Sequence, residues 1–544
     1  GRDKMGKEVM GKKENEMAQE KEGVTLAPDA EKESYNEQFY LYLALTKASE
    51  QVILTYSVMT SKGESKRPSY LINRVKQVFP KLVVEKEEMD TSYEKIIGSD
   101  KGKSYLISHL ADGTYAKDVI WWEIASHYEK KTPGILKDLL RIREKRAGNN
   151  SLKKEAAKRL FGDVLYGSVT RFEQYVQCPF AFFAHYGLLL NERQQYEISS
   201  LDHGNLFHQA MEHLSHELEQ RNKNWQDLSE EEAVSLAAEC VDAVAERYQG
   251  RKYFQSNRVS FMLKRLKNEV VHSVWAMWHQ MQEGDFVQTY TEKGFRGNDK
   301  EWESMCIPFG EDAKICLNGV IDRVDLCSLP GVELIKIIDY KSSDSQDLLL
   351  AKVYYGLQMQ LLTYLEAAKE MVEKEHKGKE AVPAAMLYYA IKEKNLDWKP
   401  ESEEEYEKRV LDSMKCKGYV NEEPEIIGHL DKSVVNGGEL IPGQKSGVVP
   451  VAVDKKGLLK KNSGTLSTKD FETLIAHTKE KMKECGKAIL DGKIEAIPYV
   501  YEDNDGCTYC PYGSVCGHES KKDGVREMKK MSDDEVWEAL YGDD

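Results

Sequence analysis

Residues 317–343 read LNGVIDRVDLCSLPGVELIKIIDYKSS, and this stretch decides the fold. Two runs of alternating apolar residues flank a Ser-Leu-Pro-Gly turn, a pattern that predicts a β-hairpin. Side chains two residues apart share one face of a strand, so Asp339 and Lys341 should point the same way. Asp322 on the partner strand should reach the same end of the hairpin. Two carboxylates beside an ammonium group suit a divalent metal, with the lysine near an attacking water or a phosphate oxygen.

A surface hairpin with scattered charges is the alternative interpretation of this stretch. The D-x-K sequence, however, ends an apolar run at residues 334–338 that predicts burial. A buried charge pair without a task is energetically costly. The pattern therefore favours a functional site.

The segments GVIDRVD (residues 319–325) and IIDYKSS (residues 337–343) resemble the core of PD-(D/E)XK nucleases in their RecB-like form. Two further motifs of that form occur in the right order, G-x-x-x-H at residues 204–208 and Q-x-x-x-Y at residues 360–364. The last motif places its Gln and Tyr one helical turn apart on one face. The resemblance implies an α/β fold, in which a mixed sheet is flanked by helices and the restriction-endonuclease-like core carries helical additions.

The resemblance also implies the site residues. The metal, Mg²⁺ or Mn²⁺, would be held by His208, Asp322, Asp339 and the main-chain carbonyl of Ile338. The other catalytic residues would be Lys341, which orients water or stabilises developing charge, and Gln360 and Tyr364, which position the strand.

Two of these assignments have alternatives. His208 could be an ordinary histidine on an amphipathic helix, because three further histidines lie within nine residues of it. Asp325 competes with Asp322 for the metal, although Asp322 fits the G-x-I-D pattern of the resemblance.

Ten cysteines at uneven spacing predict metal binding rather than a disulfide framework. Cys507, Cys510 and Cys516 form a C-x2-C-x5-C cluster, and Cys178 is the candidate for a fourth ligand. Four thiolates bind either Zn²⁺ or an iron–sulfur cluster, and spacing does not separate the two. The remaining six are expected to be small buried apolar residues: Cys240, Cys306, Cys316, Cys327, Cys416 and Cys485.

A lone cysteine before Pro-Phe, a RecB-like nuclease and then C-x2-C-x5-C resemble the nucleases that carry a [4Fe-4S] cluster. These include the AddB subunits of bacterial AddAB helicase–nucleases, Dna2-type nucleases and Cas4 proteins. The resemblance implies a structural [4Fe-4S] cluster on Cys178, Cys507, Cys510 and Cys516, with zinc as the alternative.

The N-terminal third has a different character. Residues 1–35 are polar and predict a flexible segment. Residues 36–57, NEQFYLYLALTKASEQVILTYS, predict an amphipathic helix running into a strand and resemble the sixth motif of superfamily 1 helicases. Lys47 stands where that motif has an Arg, and the two are not equivalent at a phosphate. The stretch Gly98–Ser104 has three residues between its glycines, where a P-loop needs four. ATP hydrolysis by this chain alone is therefore not expected, and an ordinary helix–strand unit remains the alternative.

The chain of 544 residues predicts two to four domains. We expect a remnant of a degenerate helicase-like domain at residues 36–150. A RecB-like nuclease domain follows at residues 151–544, with an insertion at residues 401–447. Within this domain, the residue patterns predict a strand at residues 384–392 and an amphipathic helix at residues 468–491. The formal charge of −15 requires a local basic groove for any contact with nucleic acid. No signal peptide or apolar span is evident, so a cytoplasmic location without membrane contact is expected.

Among these families the AddB subunits fit best, because they place a degenerate helicase module before the nuclease. The resemblance implies a bacterial heterodimer with an AddA-like helicase–nuclease subunit. It further implies 5′→3′ cutting of single-stranded DNA from duplex ends, in double-strand-break repair by homologous recombination. The alternatives are a free-standing Cas4- or Dna2-like nuclease and a non-catalytic scaffold that only binds DNA.

Overall fold

The computed structural model describes residues 30–59, 65–85, 99–112, 119–146, 151–191, 200–249, 257–296, 302–310, 313–341, 347–391, 396, 402–502, 504–518 and 523–542. The chain divides into two compact units, residues 1–143 and 144–544. Most of the polar segment predicted at residues 1–35 lies outside the described residues. None of the described helices is both long enough and apolar enough to cross a membrane.

The first unit is helical, and its last helix continues past residue 143. Its helices are α1 (Ala30–Thr46), α2 (Tyr70–Val78), α3 (Ser99–Asp112), α4 (Val119–Lys131) and α5 (Ile135–Arg146). Trp121 on α4 is buried and donates its indole N–H to the Leu106 carbonyl of α3 at 2.9 Å. The stretch Gly98–Ser104, which lacks the spacing of a P-loop, is helical from Ser99 onward.

The helix predicted within residues 36–57 is present as α1, but the helix–strand prediction is wrong in two other respects. None of the side chains at residues 35–46 is buried, so α1 has no buried face and is not amphipathic in its packing. Lys47, which directly follows α1, is exposed as well. Residues 51–57 form no strand, because every one of their side chains is exposed and no described segment pairs with them. A strand without a partner leaves its backbone hydrogen bonds to water and gains little stability.

The described strands of the second unit are β1 (Val164–Gly167), β2 (Val287–Gly294), β3 (Met305–Pro308), β4 (Lys314–Leu317), β5 (Val320–Leu329), β6 (Val332–Lys341), β7 (Glu380–Ala390), β8 (Lys417–Asn421), β9 (Val435–Asn436), β10 (Glu439–Leu440), β11 (Thr465–Leu466), β12 (Tyr499–Tyr501), β13 (Asn504–Asp505) and β14 (Arg526–Glu527). Six of them form a mixed sheet in the order β11-β8-β7-β6-β5-β2. Its β6–β7 and β8–β11 pairs are parallel, and its other pairs are antiparallel. The other strands form three small sheets, β1-β4-β3, β10-β9 and β13-β12-β14.

Helices cover both faces of the six-stranded sheet. The described helices of the second unit are α6 (Lys154–Phe161), α7 (Val169–Gln177), α8 (Pro179–Phe182), α9 (Ser200–Gln220), α10 (Glu230–Gln249), α11 (Asn257–Gln282), α12 (Leu350–Tyr354), α13 (Gln360–Glu375), α14 (Glu403–Ser413), α15 (Pro424–Leu430), α16 (Thr468–Leu490), α17 (Gly513–Cys516) and α18 (Asp533–Tyr541). Short 3₁₀ turns lie at Trp225–Asp227 and Lys432–Val434, and a π-helical turn at Phe183–Gly187.

The predicted hairpin is confirmed as β5 and β6, joined by a two-residue turn in which Gly331 has a φ of +81°. Successive side chains of β6 enter two different cores. Ile335 and Ile337 pack with α13 and α16, whereas Leu334, Ile338 and Tyr340 pack with α9, α10 and α11. Asp339 and Lys341 therefore end β6 on the face of α13.

Strands and helices predicted further along the chain are also present. The strand expected at residues 384–392 is β7, and the helix expected at residues 468–491 is α16. The segment predicted as an insertion, residues 401–447, contributes β8, which lies between β7 and β11 in the six-stranded sheet. At least this part of the segment belongs to the core rather than to a peripheral loop.

Candidate metal-dependent nuclease site

The hairpin brings its two aspartates to one end of the sheet. Asp322 is buried, and its Oδ2 accepts a hydrogen bond from the main-chain N–H of Tyr340 at 2.7 Å. This bond crosses from β5 to β6 and fixes Asp322 beside Asp339. Lys341 Nζ lies 2.5 Å from Asp339 Oδ2, so the D-x-K pair shares a face as the sequence predicts. Ile338, whose carbonyl is the fourth expected ligand, directly precedes Asp339 and buries its side chain in the core with α9, α10 and α11.

The helix motif contributes His208 from α9 to the same place. His208 Nδ1 lies 3.6 Å from Asp322 Oδ1 and 2.9 Å from Glu292 Oε1. His208, Glu292 and Asp322 each place a ligand atom within 4.8 Å of the other two, and in the described part of the chain no other three His, Cys, Asp or Glu residues do so. The two carboxylates are ligand types that suit Mg²⁺ or Mn²⁺, whereas the imidazole is a ligand type typical of transition metals. His208 thus faces carboxylates from two strands, β2 and β5, whereas His216 on the same helix pairs only with Glu219 one turn away.

Glu292 is a candidate ligand that sequence reasoning missed. It lies near the end of β2 with a φ of +45°, a left-handed conformation that is unusual for a residue other than glycine. The cost of such a conformation is of order 1–3 kcal/mol, and it is commonly found at functional sites. The conformation accompanies the contact between the Glu292 carboxylate and His208.

The electrostatics of these groups suit a divalent cation. Burial and the charge of Asp339 raise the pKa of Asp322 well above its usual value. Burial also raises the pKa of Asp339, although Lys341 opposes the shift. Burial acts to lower the pKa of His208, but Glu292 and Asp322 outweigh it and raise that pKa to about 9. A divalent cation at this place would favour the ionised carboxylates and the neutral imidazole, because its positive charge would replace that of the bound protons.

A hydrogen-bonded chain runs from Lys341 to the Q-x-x-x-Y motif on α13. Lys341 Nζ donates to Gln360 Oε1 at 2.9 Å, and Gln360 Nε2 donates to Tyr364 OH at 3.0 Å. The Tyr364 ring meets the Phe295 ring edge to face at 5.8 Å. A Cβ on Gly319 would lie 2.7 Å from Phe295 and 3.2 Å from Tyr364, which explains the glycine of G-x-I-D.

Asp325, the alternative to Asp322, is occupied elsewhere. Its carboxylate accepts hydrogen bonds from Arg323 at 2.7 and 2.9 Å and pairs with Lys336 at 2.8 Å. All three groups are buried. Arg323 and Lys336 hold the pKa of Asp325 below its usual value despite burial. The carboxylate is therefore neutralised within the protein and needs no metal.

The four cysteines of the expected cluster are neighbours. Cys178 lies between α7 and α8 and packs in one buried cluster with Cys510 and Tyr512. Burial raises the pKa of Cys507 to about 11, and Asp505 and Cys178 add to the shift. In the part of the chain that the structure describes, no three thiols come within 4.8 Å of one another. The four cysteines thus offer the donor type of a four-thiolate group in one location, but their thiols do not show the close approach that a single Zn²⁺ ion would require.

The expectation of six small buried cysteines is wrong for one pair. Cys306 on β3 and Cys316 on β4 face each other across the antiparallel ladder and form a disulfide. The side chain of Cys306 is also exposed, whereas Cys240, Cys327, Cys416 and Cys485 are free and buried as expected. Strand pairing explains the bond, because directly opposed side chains of an antiparallel pair are close neighbours.

The sequence profile described as the PD-(D/E)XK nuclease superfamily matches residues 167–517. The chain is 34% identical to the B subunit of an ATP-dependent helicase/deoxyribonuclease from Lachnoclostridium phytofermentans, over 96% of this chain and 44% of that protein. It is 31% identical to the protein of the same description from Clostridium perfringens strain 13, over 98% of this chain and 46% of that protein. It thus spans about half the length of these curated relatives.

Proposed function

Because the chain belongs to the PD-(D/E)XK nuclease superfamily, we propose that it is the nuclease portion of the B subunit of an AddAB-type helicase–deoxyribonuclease. The observation that carries the proposal is the convergence of His208, Glu292 and Asp322 beside the Asp339–Lys341 pair. The reaction is hydrolysis of phosphodiester bonds in single-stranded DNA, taken from duplex ends in the 5′→3′ direction during break repair by homologous recombination.

Mg²⁺ or Mn²⁺ would be held by His208, Glu292, Asp322 and Asp339. The metal would act as a Lewis acid that makes water a better nucleophile and offsets the negative charge gained by the phosphate. The protein prepares this place by holding Asp322 through the Tyr340 N–H, so that its other oxygen faces His208. His208 must be neutral to bind a metal and therefore gives up its proton on loading.

Lys341 would act on the substrate side of the site. Its ammonium group bonds Asp339 and Gln360 in this structure and is partly exposed, so it can donate to a phosphate oxygen or to the attacking water. Gln360 limits the directions that the Lys341 side chain can take. Tyr364, at the end of the same chain of hydrogen bonds, would help to position the DNA strand beside the lysine.

Two alternatives lose support. A non-catalytic scaffold has no need to retain Asp339 and Lys341 in a 2.5 Å pair beside two further acidic groups. A free-standing Cas4- or Dna2-like nuclease accounts less well for relatives that are described as the B subunit of a helicase/deoxyribonuclease and match almost the whole chain. An AddA-like motor protein is accordingly the proposed partner.

The cysteines would hold a [4Fe-4S] cluster, with zinc as the alternative metal, in a structural role. Contacts around Cys178 support a stapling function. Arg526 on β14 donates to the Gln177 carbonyl at 3.2 Å, and the Phe180 N–H donates to the Glu495 carbonyl at 3.2 Å. These contacts join the C-terminal region to the start of the nuclease region beside Cys178.

The test is cleavage of labelled single-stranded DNA by the parent chain and by Asp339→Ala and Lys341→Ala, in Mg²⁺ and in EDTA. We expect metal-dependent cleavage by the parent and loss by at least ~100-fold in both variants. Glu484→Ala, which removes an exposed ion pair with Lys481 on α16, is the control and should retain the parent rate. Parent rates in both site variants would contradict the assignment, and insensitivity to a blocked 5′ end would contradict the polarity.

A further inference from the structure

Helix α13 begins without a cap of its own. Met359, at the N-cap position, offers no side-chain acceptor, and the Gln358 amide is engaged with Leu349 and Asp347. The first N–H groups of a helix have no intrahelical partner and are usually satisfied by a capping oxygen. The acceptor here comes from a different helix, because Glu173 Oε1 on α7 accepts the Met359 N–H at 2.6 Å. The backbone N–H of Gln360 also lowers the pKa of the Glu173 carboxyl group.

The capped turn carries the side chain that holds Lys341. Gln360 is the first residue of α13, and its Oε1 accepts from Lys341 Nζ at 2.9 Å. Any shift of this turn therefore changes where the ammonium group can sit relative to Asp339. A displacement of about 1 Å at a catalytic group can cost about 100-fold in rate.

We propose that Glu173 is a positioning residue of the nuclease site, whose carboxylate caps α13 from α7 and thereby holds Gln360 against Lys341. The inference rests on the proposed function for its catalytic consequence, but the capping contact can be measured without activity. Glu173 is not in the group of ligand atoms formed by His208, Glu292 and Asp322, so its role is distinct from holding the metal.

The electrostatic surroundings of Glu173 suit this role. Burial raises the pKa of Glu173 to about 7, while its bonds to α13 and the charge of Lys341 favour the carboxylate. A negative charge at a helix N-terminus also interacts favourably with the helix dipole.

Two conservative variants distinguish the effect of side-chain length at residue 173 from the effect of its charge. Glu173→Gln keeps the length and an accepting oxygen, so it should preserve the cap. Glu173→Asp keeps the charge but is shorter by one methylene, so it should lose the 2.6 Å contact. Hydrogen exchange of the peptide spanning residues 357–365 should be about tenfold faster in Glu173→Asp and close to the parent in Glu173→Gln. Equal exchange in all three proteins would overturn the capping contact, whether or not the chain is active.

Activity then tests the link to catalysis. In Glu173→Asp, kcat on single-stranded DNA should fall about 10- to 100-fold, while KM and the Mn²⁺ affinity stay near those of the parent. Glu173→Gln should keep most of the parent kcat. Adding Glu173→Asp to Gln360→Ala should cause little further loss, because both act through one contact. Lost Mn²⁺ affinity, an inactive Glu173→Gln, or an additive double variant would each overturn the positioning role. An inactive parent would instead contradict the proposed function.

A matched control comes from the other unit. Glu129 accepts the N–H groups of Gly134 at 2.7 Å and Leu136 at 3.1 Å, and so caps α5 in the same way. Glu129→Asp should speed hydrogen exchange at the start of α5 and leave nuclease activity unchanged. A loss of activity in Glu129→Asp equal to that in Glu173→Asp would overturn the specific role of Glu173.

Discussion

Replacing Lys341 by Met removes the cation that faces Asp339 while keeping most of the apolar stem. The side chain of Asp339 is 3% exposed and that of Lys341 is 19% exposed, with 2.5 Å between the charged atoms. Removing one partner of a buried pair costs about 3–5 kcal/mol, because the remaining charge is left uncompensated. The partial exposure of Lys341 places the expected cost at the lower end, about 3 kcal/mol.

This free energy converts into a measurable melting shift. The second unit comprises residues 144–544, and its unfolding entropy at the midpoint is about 0.8 kcal/mol per kelvin from the average per residue. Lys341→Met should therefore lower the melting temperature in EDTA by about 4 °C. Saturating Mg²⁺ should reduce the difference in melting temperature between Lys341→Met and the parent, because the metal supplies the missing positive charge. Asp339→Asn, which removes the buried carboxylate itself, should melt at or above the parent temperature in EDTA.

Differential scanning calorimetry of four proteins is the assay: the parent, the two single variants and the double variant. The double variant should recover most of the stability that Lys341→Met loses, since no uncompensated carboxylate remains. The reasoning is refuted if Lys341→Met melts with the parent in EDTA. It is equally refuted if the double variant is no more stable than Lys341→Met.

Three further predictions concern the metal, the cluster and the first unit. The pKa of His208, raised to about 9, keeps it protonated at pH 7.5 without metal, so Mn²⁺ binding should release at least about one proton there, and the share from His208 should fall as the pH rises through 9. Calorimetry in buffers of different ionisation enthalpy measures this release, and its absence would contradict the His208 assignment. Each Ser variant of the four cluster cysteines should lose iron and sulfide together and expose the C-terminal segment to protease, whereas Cys240→Ser should not. Zinc without sulfide in the parent would contradict the iron–sulfur assignment, and iron retained in Cys178→Ser would contradict its ligand role. The chain alone should show no ATP turnover, and sustained turnover unaffected by Lys47→Ala would contradict the helicase-remnant interpretation.

Local pattern was sufficient for the centre of the fold. The hairpin, β7, α16 and the helices that carry His208 and Gln360 follow from periodicity and turn residues that lie within a few positions of each other. The same local logic failed at residues 51–57. Their apolar residues predict a strand, but a strand also needs a partner, and none is present among the described residues.

The features that were not predicted from the sequence depend on contacts between distant elements. Glu292 is one glutamate in an ordinary strand, and its approach to His208 depends on a positive φ and on the pairing of β2 with β5. Glu173 caps a helix whose N-cap residue, Met359, lies 186 positions later in the chain. The Cys306–Cys316 bond likewise depends on the register of β3 against β4. None of these features has a sequence spacing that identifies it.

Glu292→Gln tests the metal site most directly, because geometry alone assigns this residue to it. Cleavage of single-stranded DNA and Mn²⁺ affinity should be measured on the same preparations. The matched control is Glu375→Gln, which alters a carboxylate that bonds Tyr290 on the same strand outside the site. We predict that Glu292→Gln loses at least ~10-fold in metal affinity and ~100-fold in cleavage rate, with the control at parent values. Parent affinity and rate in Glu292→Gln would contradict the site described.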